Sequence, residues 1–149
     1  MKALIQRVKC ASVAVDGDVL ARIGEGLLVF LGVGSEDTVS DAEYTAKKTC
    51  NLRVFDDGDG VMNHSVSAVA GEILVISQFT LMADCRRGNR PSYINAARPE
   101  LGEILYERYV EELKRLECRV ETGRFGAGML VELQNDGPVT IVLDSRSSD

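Results

Sequence analysis

The sequence has no tryptophan, one histidine and only three prolines, and its four cysteines are far apart. A Ser-His-Asp or Cys-His catalytic group would have to recruit His64, which lies in a polar stretch, and no G-x-S-x-G motif occurs. Because there is no C-x-x-C pair and no second histidine, we expect no metal and no cofactor. A hydrolase built on this chain would lack an evident side-chain general base. The sequence predicts free thiols at all four cysteine positions: Cys10, Cys50, Cys85 and Cys118.

Long hydrophobic runs and an excess of positive charge are also missing. The longest apolar runs, 27–33 and 73–76, are far shorter than the roughly 18 residues of a membrane helix. No export signal is evident, so we expect a cytoplasmic protein with no membrane partner. The net charge of -6 argues against a wide groove for DNA or another polyanion. A length of 149 residues and a hydrophobic content of 45% fit one domain over 1–149.

One stretch departs from this acidic balance, because arginines gather between 86 and 98 with few acids among them. Such a stretch makes one end of the molecule locally positive and suits a local contact with RNA. A solvated loop whose arginines pair with nearby carboxylates is the alternative interpretation. The four residues concerned are Arg86, Arg87, Arg90 and Arg98.

Hydrophobic periodicity predicts an α/β fold, a single domain with a mainly antiparallel, barrel-like sheet and two helices. A hairpin is expected where Asp16-Gly17-Asp18 interrupts β-branched alternation. One helix is predicted after caps at 37–40, with Ala42, Thr45, Ala46, Thr49, Cys50 and Leu52 on its buried face. A second begins at Pro99 and carries an apolar stripe, namely Leu101, Ile104, Leu105, Tyr109, Val110, Leu113 and Leu116. The remaining predicted strands are 26–33, 72 to about 80, 118–122, 129–134 and 139–143, with a loop over 56–71.

Two glycine-rich segments resemble ligand loops but fail the test of spacing. In the first, Gly32 and Gly34 follow a strand as in a dinucleotide-binding turn, but Asp37 stands where the third glycine is needed. A carboxylate there would repel a phosphate. In the second, Asp57 and Asp59 suggest a calcium loop whose later ligand positions are apolar. We therefore expect neither a nucleotide nor a calcium ion.

The first segment that carries chemistry is Ser77-Gln78-Phe79-Thr80, at the carboxyl end of an apolar strand. Strand alternation would put Ser77 and Phe79 on one face and Gln78 and Thr80 on the other. Two hydroxyls, an amide and an aromatic ring at a strand end suit a small ligand. A strand that simply reaches solvent explains the pattern equally well.

The second segment, 135–140, interrupts what would otherwise be a continuous hairpin in the tail. Pro138 cannot donate a ladder hydrogen bond, so the chain must form an edge, a bulge or a turn there. The Gly137–Pro138 bond is open to either isomer. An ordinary turn remains the simpler interpretation of this segment by itself.

Taken together, 77–81 and 135–140 resemble the two signature motifs of the D-aminoacyl-tRNA deacylases, the D-tyrosyl-tRNA deacylase family. Further similar segments occur in the same order, and the resemblance covers essentially the whole chain. Tyr93 departs slightly, at a position where the family often has phenylalanine. The further segments are 6–8, 11–13, 16–17, 88–92, 96–97 and 123–129.

The resemblance implies a homodimeric proofreading enzyme that hydrolyses the ester bond of D-aminoacyl-tRNA and spares the L form. Its partner would be the acceptor end of aminoacyl-tRNA, including glycyl-tRNA mischarged on alanine tRNA. The ribose 2′-hydroxyl of the terminal adenosine would assist the attack, so no protein nucleophile is required. Ser77, Gln78 and Phe79 would line the aminoacyl pocket, and backbone amides near Phe79 and Thr80 would stabilise the oxyanion.

The resemblance also implies roles for residues outside that segment. Gly137 and Pro138, flanked by Asn135 and Thr140, would form a cis-proline motif that enters the pocket of the other subunit. Rigid main chain beside the α-carbon would exclude an L side chain and leave a D side chain free. In addition, Phe125 and Met129 would pack against the adenine, although core packing is an alternative role for both.

Two other functions stay open at the level of the sequence. The chain could be a non-catalytic dimeric module that binds a small amino-acid-like ligand. It could instead be a small-ester hydrolase with Thr80 as its nucleophile, although no base stands near Thr80 in the sequence.

Overall fold

A computed structural model of the chain describes residues 1–146. Over this range the chain forms eight strands, two α-helices and one 3₁₀ helix. The strands are β1 (Lys2–Val15), β2 (Asp18–Ile23), β3 (Gly26–Gly32), β4 (Phe55–Asp56), β5 (Met62–His64), β6 (Glu72–Ser77), β7 (Arg119–Thr122) and β8 (Leu130–Asp144). The helices are α1 (Val39–Asn51) and α2 (Pro99–Arg115), and the 3₁₀ helix covers Phe79–Met82.

Six of the strands form one mixed sheet in the order β2-β1-β3-β6-β7, with β8 paired along the other edge of β1. The long strand β1 is antiparallel to β2, β3 and β8. The β3–β6 and β6–β7 pairs are parallel. Because β2 also contacts β6 and β7, the sheet curls into a barrel-like layer. These features confirm the predicted α/β domain with two helices.

Apolar side chains cover both faces of this sheet. On one face they pack against α1 and α2 and form the larger core cluster, which includes Leu27, Val75 and Tyr109. On the other face Leu28 and Leu74 belong to a smaller cluster enclosed by the curled sheet. Strand β3 therefore lies buried on both sides, as its continuous apolar run predicts.

The hairpin and both helices lie where the sequence predicts them. Asp16 and Gly17 have φ values of 52° and 87°, which form the left-handed turn that joins β1 to β2. Helix α1 buries five of the residues predicted for its inner face, and Thr38 and Asp41 form a capping box at its start. Helix α2 begins at Pro99 as predicted.

Four details of the predicted elements are wrong. Ile104 is 60% exposed and does not belong to the buried stripe of α2. The strand that begins at residue 72 ends at Ser77, where the chain leaves the sheet for the 3₁₀ helix, so alternation does not extend to residue 80. The segments 129–134 and 139–143 are both parts of one strand, β8, paired along β1. The predicted loop 56–71 also contains β5, which pairs with β4 and carries the exposed His64.

The four cysteines are free thiols, as predicted. Cys50 and Cys118 nevertheless lie side by side, with 2.9 Å between their sulfur atoms. Burial and the neighbouring Cys50 thiol raise the pKa of Cys118. Among residues 1–146, neither α1 nor α2 has the length and hydrophobicity of a membrane-spanning helix.

Candidate active site

A cavity of about 650 Å³ opens where the parallel strands β3 and β6 end. The carboxyl ends of parallel strands are a common place for ligand crevices in α/β sheets. The loop before α2, the first turns of α2 and the loop between β7 and β8 complete the wall. The lining residues are Leu31, Val33, Ile76, Ser77, Gln78, Phe79, Tyr93, Ala96, Ala97, Arg98, Pro99, Gly102, Phe125, Gly126, Ala127, Met129 and Val131.

The 3₁₀ helix brings the polar segment to this cavity because it packs directly on the end of β3. A Cβ atom on Gly32 would lie 2.9 Å from Leu81 Cβ and 3.1 Å from the Gln78 carbonyl oxygen. Only a glycine allows this close approach without a shift of the neighbouring backbone. The Gln78 amide donates to the Leu31 carbonyl oxygen at 2.8 Å, which fixes the point where the chain leaves the sheet.

The structure brings Ser77, Gln78 and Phe79 together in the cavity wall. Thr80 is not part of the wall, and its hydroxyl accepts a hydrogen bond of 2.5 Å from Gln78 Nε2. The backbone amides of Phe79 and Thr80 have no acceptor among residues 1–146. Two adjacent amides without acceptors at a cavity edge are suited to bind a carbonyl oxygen or an oxyanion.

No general base accompanies Thr80. Among the described residues, the Thr80 hydroxyl has Gln78 as its hydrogen-bond partner. The amide group of Gln78 cannot accept a proton at neutral pH. His64 is exposed on β5 and does not line the cavity. Within residues 1–146, no carboxylate or thiol lines the cavity either. The arrangement therefore does not favour Thr80 as a nucleophile.

Phe125 and Met129 lie on the side of the cavity formed by the loop between β7 and β8. Phe125 is half-buried, and its ring centroid is 5.9 Å from that of Tyr106. Tyr106 donates a hydrogen bond to the Val75 carbonyl oxygen at 2.9 Å, and burial raises its pKa. Met129 packs against the smaller core cluster. Both residues thus contact the core and the cavity, and the two roles that the sequence left open are compatible.

The mouth of the cavity combines an exposed aromatic pair with one positive charge. Phe79 is 57% exposed, and its ring meets that of Tyr93 edge to face at a centroid distance of 5.1 Å. Arg98 is the one charged side chain among the described residues that line the cavity. Its guanidinium has no ion-pair partner within residues 1–146. The sequence pattern indicated a basic stretch, but nothing in it assigned Arg98 to a cavity wall.

The second predicted segment lies elsewhere in the chain, because Asn135, Gly137, Pro138 and Thr140 do not line this cavity. Gly137 and Pro138 are exposed, and the peptide bond between them is cis. The segment bulges out of the β1–β8 ladder, which pairs Val8 with Asn135 and then resumes between Gln6 and Thr140. A single protomer therefore does not unite the two signature segments.

A buried arginine that sequence analysis did not single out holds this bulge. Arg7 lies opposite residues 136–139, and its side chain is 7% exposed. Its Nε donates to the Asp136 carbonyl oxygen at 3.2 Å, and its Nη1 donates to the Val54 carbonyl oxygen at 2.6 Å. Asn135 Nδ2 adds hydrogen bonds to the carbonyl oxygens of Arg7 and Val139, at 3.0 and 3.1 Å. The bulge is therefore fixed on the protein side and open on the solvent side.

No group of histidine, cysteine, aspartate or glutamate side chains within residues 1–146 has the arrangement of a metal site. At the turn after β3, Asp37 accepts a hydrogen bond from the Gly34 amide and forms an ion pair with the amino terminus at 2.7 Å. The Asp37 carboxylate therefore takes up the Gly34 amide, and its negative charge beside this turn disfavours a phosphate.

The whole chain is similar to deacylases from several bacteria. The D-aminoacyl-tRNA deacylase of Thermosipho melanesiensis is 55% identical over 147 residues, which cover 98% of both chains. The enzyme of that name from Thermotoga petrophila is 55% identical over 145 residues, or 97% of both chains. That from Bacillus cytotoxicus is 50% identical over 146 residues, or 98% of this chain and 100% of the relative.

Solved structures agree with this similarity. The structure titled c-Myc DNA Unwinding Element Binding Protein has a TM-score of 0.91 and 43% identity, with coverage of 97% and 98%. A probable eukaryotic D-amino acid tRNA deacylase shares the fold, with a TM-score of 0.81 at 15% identity and coverage of 95% and 97%. The sequence profile of the family described as D-Tyr-tRNA(Tyr) deacylase matches residues 4–144. The chain therefore belongs to the D-Tyr-tRNA(Tyr) deacylase family.

Proposed function

We propose that this protein hydrolyses the ester bond of D-aminoacyl-tRNA in the cytoplasm and spares L-aminoacyl-tRNA. The observation that carries the proposal is the 650 Å³ cavity of a family member, with Ser77, Gln78 and Phe79 in its wall. The relatives quoted above carry the name of this activity over essentially the full length of the chain. The terminal adenosine fits a wall that includes Phe125 and Met129, because both offer apolar contact area to a base.

The ester would be attacked with help from the ribose 2′-hydroxyl, while the amides of Phe79 and Thr80 stabilise the charge on the carbonyl oxygen. This assignment fits a cavity without a side-chain base, and amide donors commonly supply such stabilisation. A substrate that brings its own hydroxyl removes the need for a histidine. The same chemistry would extend to glycyl-tRNA mischarged on alanine tRNA, since glycine has no side chain to exclude.

The first experiment compares hydrolysis of D- and L-aminoacyl-tRNA by the purified protein. We expect turnover of the D form only, and equal rates on the two enantiomers would contradict the proposal. Tight binding of a D-aminoacyl-adenosine analogue without turnover would favour the non-catalytic binding module instead.

The second experiment separates 2′-hydroxyl assistance from the Thr80 mechanism. We expect Thr80→Val to keep substantial activity and a 2′-deoxy terminal adenosine to lose most of it. A Thr80 nucleophile would give the reverse pattern, because it requires the side-chain hydroxyl and not that of the ribose.

D- and L-aminoacyl groups would be distinguished in a homodimer, where Gly137 and Pro138 of one subunit reach the cavity of the other. The exposed position of this bulge supports such a role, since Arg7 fixes it from behind. Strand β8, which carries the bulge, also exposes apolar side chains that suit a subunit interface: Leu130 is 67% exposed and Val142 is 65% exposed. Main chain placed beside the α-carbon would leave no volume for an L side chain.

Complementation between two inactive variants tests this arrangement. A Cβ on Gly137 would meet nothing within 4 Å in its own protomer, so Gly137→Leu should fold and block only the cavity of a partner. Ala97→Trp would fill the cavity of its own subunit. In a mixed dimer, the cavity of the Gly137→Leu subunit is open and meets the unchanged Gly137–Pro138 bulge of the Ala97→Trp subunit, so one of its two sites is intact. If the subunits pair at random, about half of the dimers are mixed, and co-expression should restore about a quarter of the wild-type sites. Failure of the mixed dimers to regain activity would overturn the cross-subunit assignment.

The substrate RNA would be contacted locally, with no DNA partner. The net charge of -6 opposes an extended polyanion interface. One similar structure is named for binding a DNA unwinding element. Binding of this protein to a duplex DNA of that kind, at physiological salt and as tight as its binding to tRNA, would contradict the proposal.

A further inference from the structure

The segment 84–98 has a net charge of +3 in a protein whose net charge is -6. It contains four arginines and one carboxylate, Asp84. Arg86 forms a salt bridge with that carboxylate, and its Nε lies 2.9 Å from Asp84 Oδ1. The Arg86 side chain and amide hold the pKa of Asp84 well below its usual range. For Arg86, the structure therefore agrees with the alternative interpretation of the sequence, in which an arginine of this stretch pairs with a nearby carboxylate.

The other three arginines of the segment have no such partner. Arg87, Arg90 and Arg98 are exposed and form no ion pair within residues 1–146. Glu100, in the first turn of α2, is exposed and is not part of the cavity wall. Uncompensated guanidinium groups in an otherwise acidic protein form a local site for an anion.

The structure holds two of these arginines beside the cavity described above. Arg98 lines that cavity, and Arg87 lines a second one of about 530 Å³ together with Asp84, Arg86 and Ser92. The two cavities are neighbours, because Tyr93 belongs to the wall of the first and Ser92 to that of the second. Paired backbone hydrogen bonds of 2.8 and 3.0 Å between Asp84 and Ser92 close the base of the arginine loop. The loop is thus anchored at the cavity mouth.

We propose that Arg98 and Arg87 bind successive backbone phosphates of the single-stranded 3′ end of the substrate RNA. The inference rests on the proposed function, which puts the terminal nucleoside in the first cavity. Arg98 then contacts the phosphate attached to that nucleoside, and Arg87 contacts a phosphate further along the strand. The acidic remainder of the surface repels the RNA, so the strand approaches from this side only.

The kinetic test compares D-aminoacyl-tRNA with D-aminoacyl-adenosine, which has no phosphate. For Arg98→Gln and for Arg87→Gln, we expect kcat/KM on the tRNA, relative to that on the adenosine substrate, to fall about tenfold. Each variant should also reduce the salt slope of binding by about 1. Arg119→Gln is the matched control, because Arg119 is exposed at the start of β7, the opposite end from the cavity.

Equal losses on the two substrates would overturn the proposal, since they would mean that the arginines shape the cavity instead of binding phosphate. Effects no larger than those of Arg119→Gln would overturn it as well. Either result with an active wild-type protein leaves the proposed function standing.

A binding measurement that does not depend on catalysis separates the phosphate-binding role of the arginines from the proposed function. Fluorescence anisotropy with a labelled RNA oligonucleotide that ends in adenosine and carries no amino acid should give about tenfold weaker binding for each arginine variant than for Arg119→Gln. If the wild-type protein binds this RNA through the arginines but hydrolyses no D-aminoacyl-tRNA, the proposed function fails and the phosphate assignment holds.

Discussion

The segment 77–80 beside the cavity and the Gly137–Pro138 bulge both interrupt a strand with polar residues, but they are built in opposite ways. That segment leads into a 3₁₀ helix seated on Gly32 at the carboxyl end of β3, and with the other lining residues it encloses space. The bulge lies on strand β8, is fixed from behind by Arg7, and presents main chain to solvent. A concave element and a convex one on the same chain suit a site that two copies complete together.

The largest expected effect lies at the bulge. Replacing Arg7 by alanine removes the guanidinium that pairs with Asp136 and donates to the carbonyl oxygens of Val54 and Asp136. Because these acceptors are then left without their donor, we expect a loss of about 3 kcal/mol in the free energy of unfolding. Denaturant unfolding measures it, with Lys9→Ala as the control, since Lys9 also pairs with Asp136 but is 56% exposed. Equal losses in the two variants would mean that Arg7 does not support the bulge.

A smaller change in stability is expected at the cavity wall. Gly32→Ala puts a methyl group 2.9 Å from Leu81 Cβ, so the 3₁₀ helix must shift. We expect a cost of about 1–3 kcal/mol, together with a fall in kcat/KM. Gly58→Ala is the control, because a Cβ there meets nothing within 4 Å. Wild-type kcat/KM in Gly32→Ala would show that the position of the 3₁₀ helix is not critical.

Phe79→Ala should separate activity from stability. The side chain is 57% exposed, so the free energy of unfolding should change by less than about 1 kcal/mol. The loss of the ring from the cavity wall should still reduce kcat/KM about tenfold, as a loss of about 1.4 kcal/mol in binding would. Tyr44→Ala removes a similarly exposed ring, 51% exposed on α1, and should retain full activity. A variant at Phe79 that unfolds readily would indicate a structural role instead.

The smallest expected effect concerns pH. The described cavity wall has no histidine, carboxylate or cysteine. After subtraction of the uncatalysed rate, the pH profile of kcat/KM should therefore show no protein inflection between about pH 5 and 8. His64→Ala should leave the profile unchanged. An inflection near pH 6.5 that disappears in this variant would point to a histidine-dependent mechanism.

Hydrophobic periodicity was sufficient for much of the fold. The helix from Pro99 and the buried face of α1 follow from a 3.6-residue period, and the first hairpin follows from Asp16 and Gly17. The prediction failed where tertiary packing overrides the period. Ser77 ends its strand because the chain must turn over Gly32, and Ile104 is exposed because α2 already buries a full face without it.

The site was predictable only in part. The segments 77–80 and 123–129 were identified from the sequence, and the structure places residues of both in one cavity wall. The sequence analysis did not assign Arg98 to the cavity wall or Arg7 to the support of the bulge. The position of an arginine in the sequence does not show which groups it contacts after folding. The resemblance implied a role for the backbone amides near Phe79 and Thr80, but only the structure shows that they have no acceptor within residues 1–146, since this depends on backbone geometry.

By itself the sequence determined the family, the two helices, the apolar strands and the absence of a histidine-based catalytic group near the signature segments, because these depend on residue type and on spacing along the chain. Only the tertiary structure decided that Arg98 lines a cavity, that Arg7 supports the bulge, and that the two signature segments lie apart within one protomer. Those facts depend on which surfaces meet after the sheet curls. Contacts between residues that are far apart in the chain leave no periodic pattern in the amino-acid sequence.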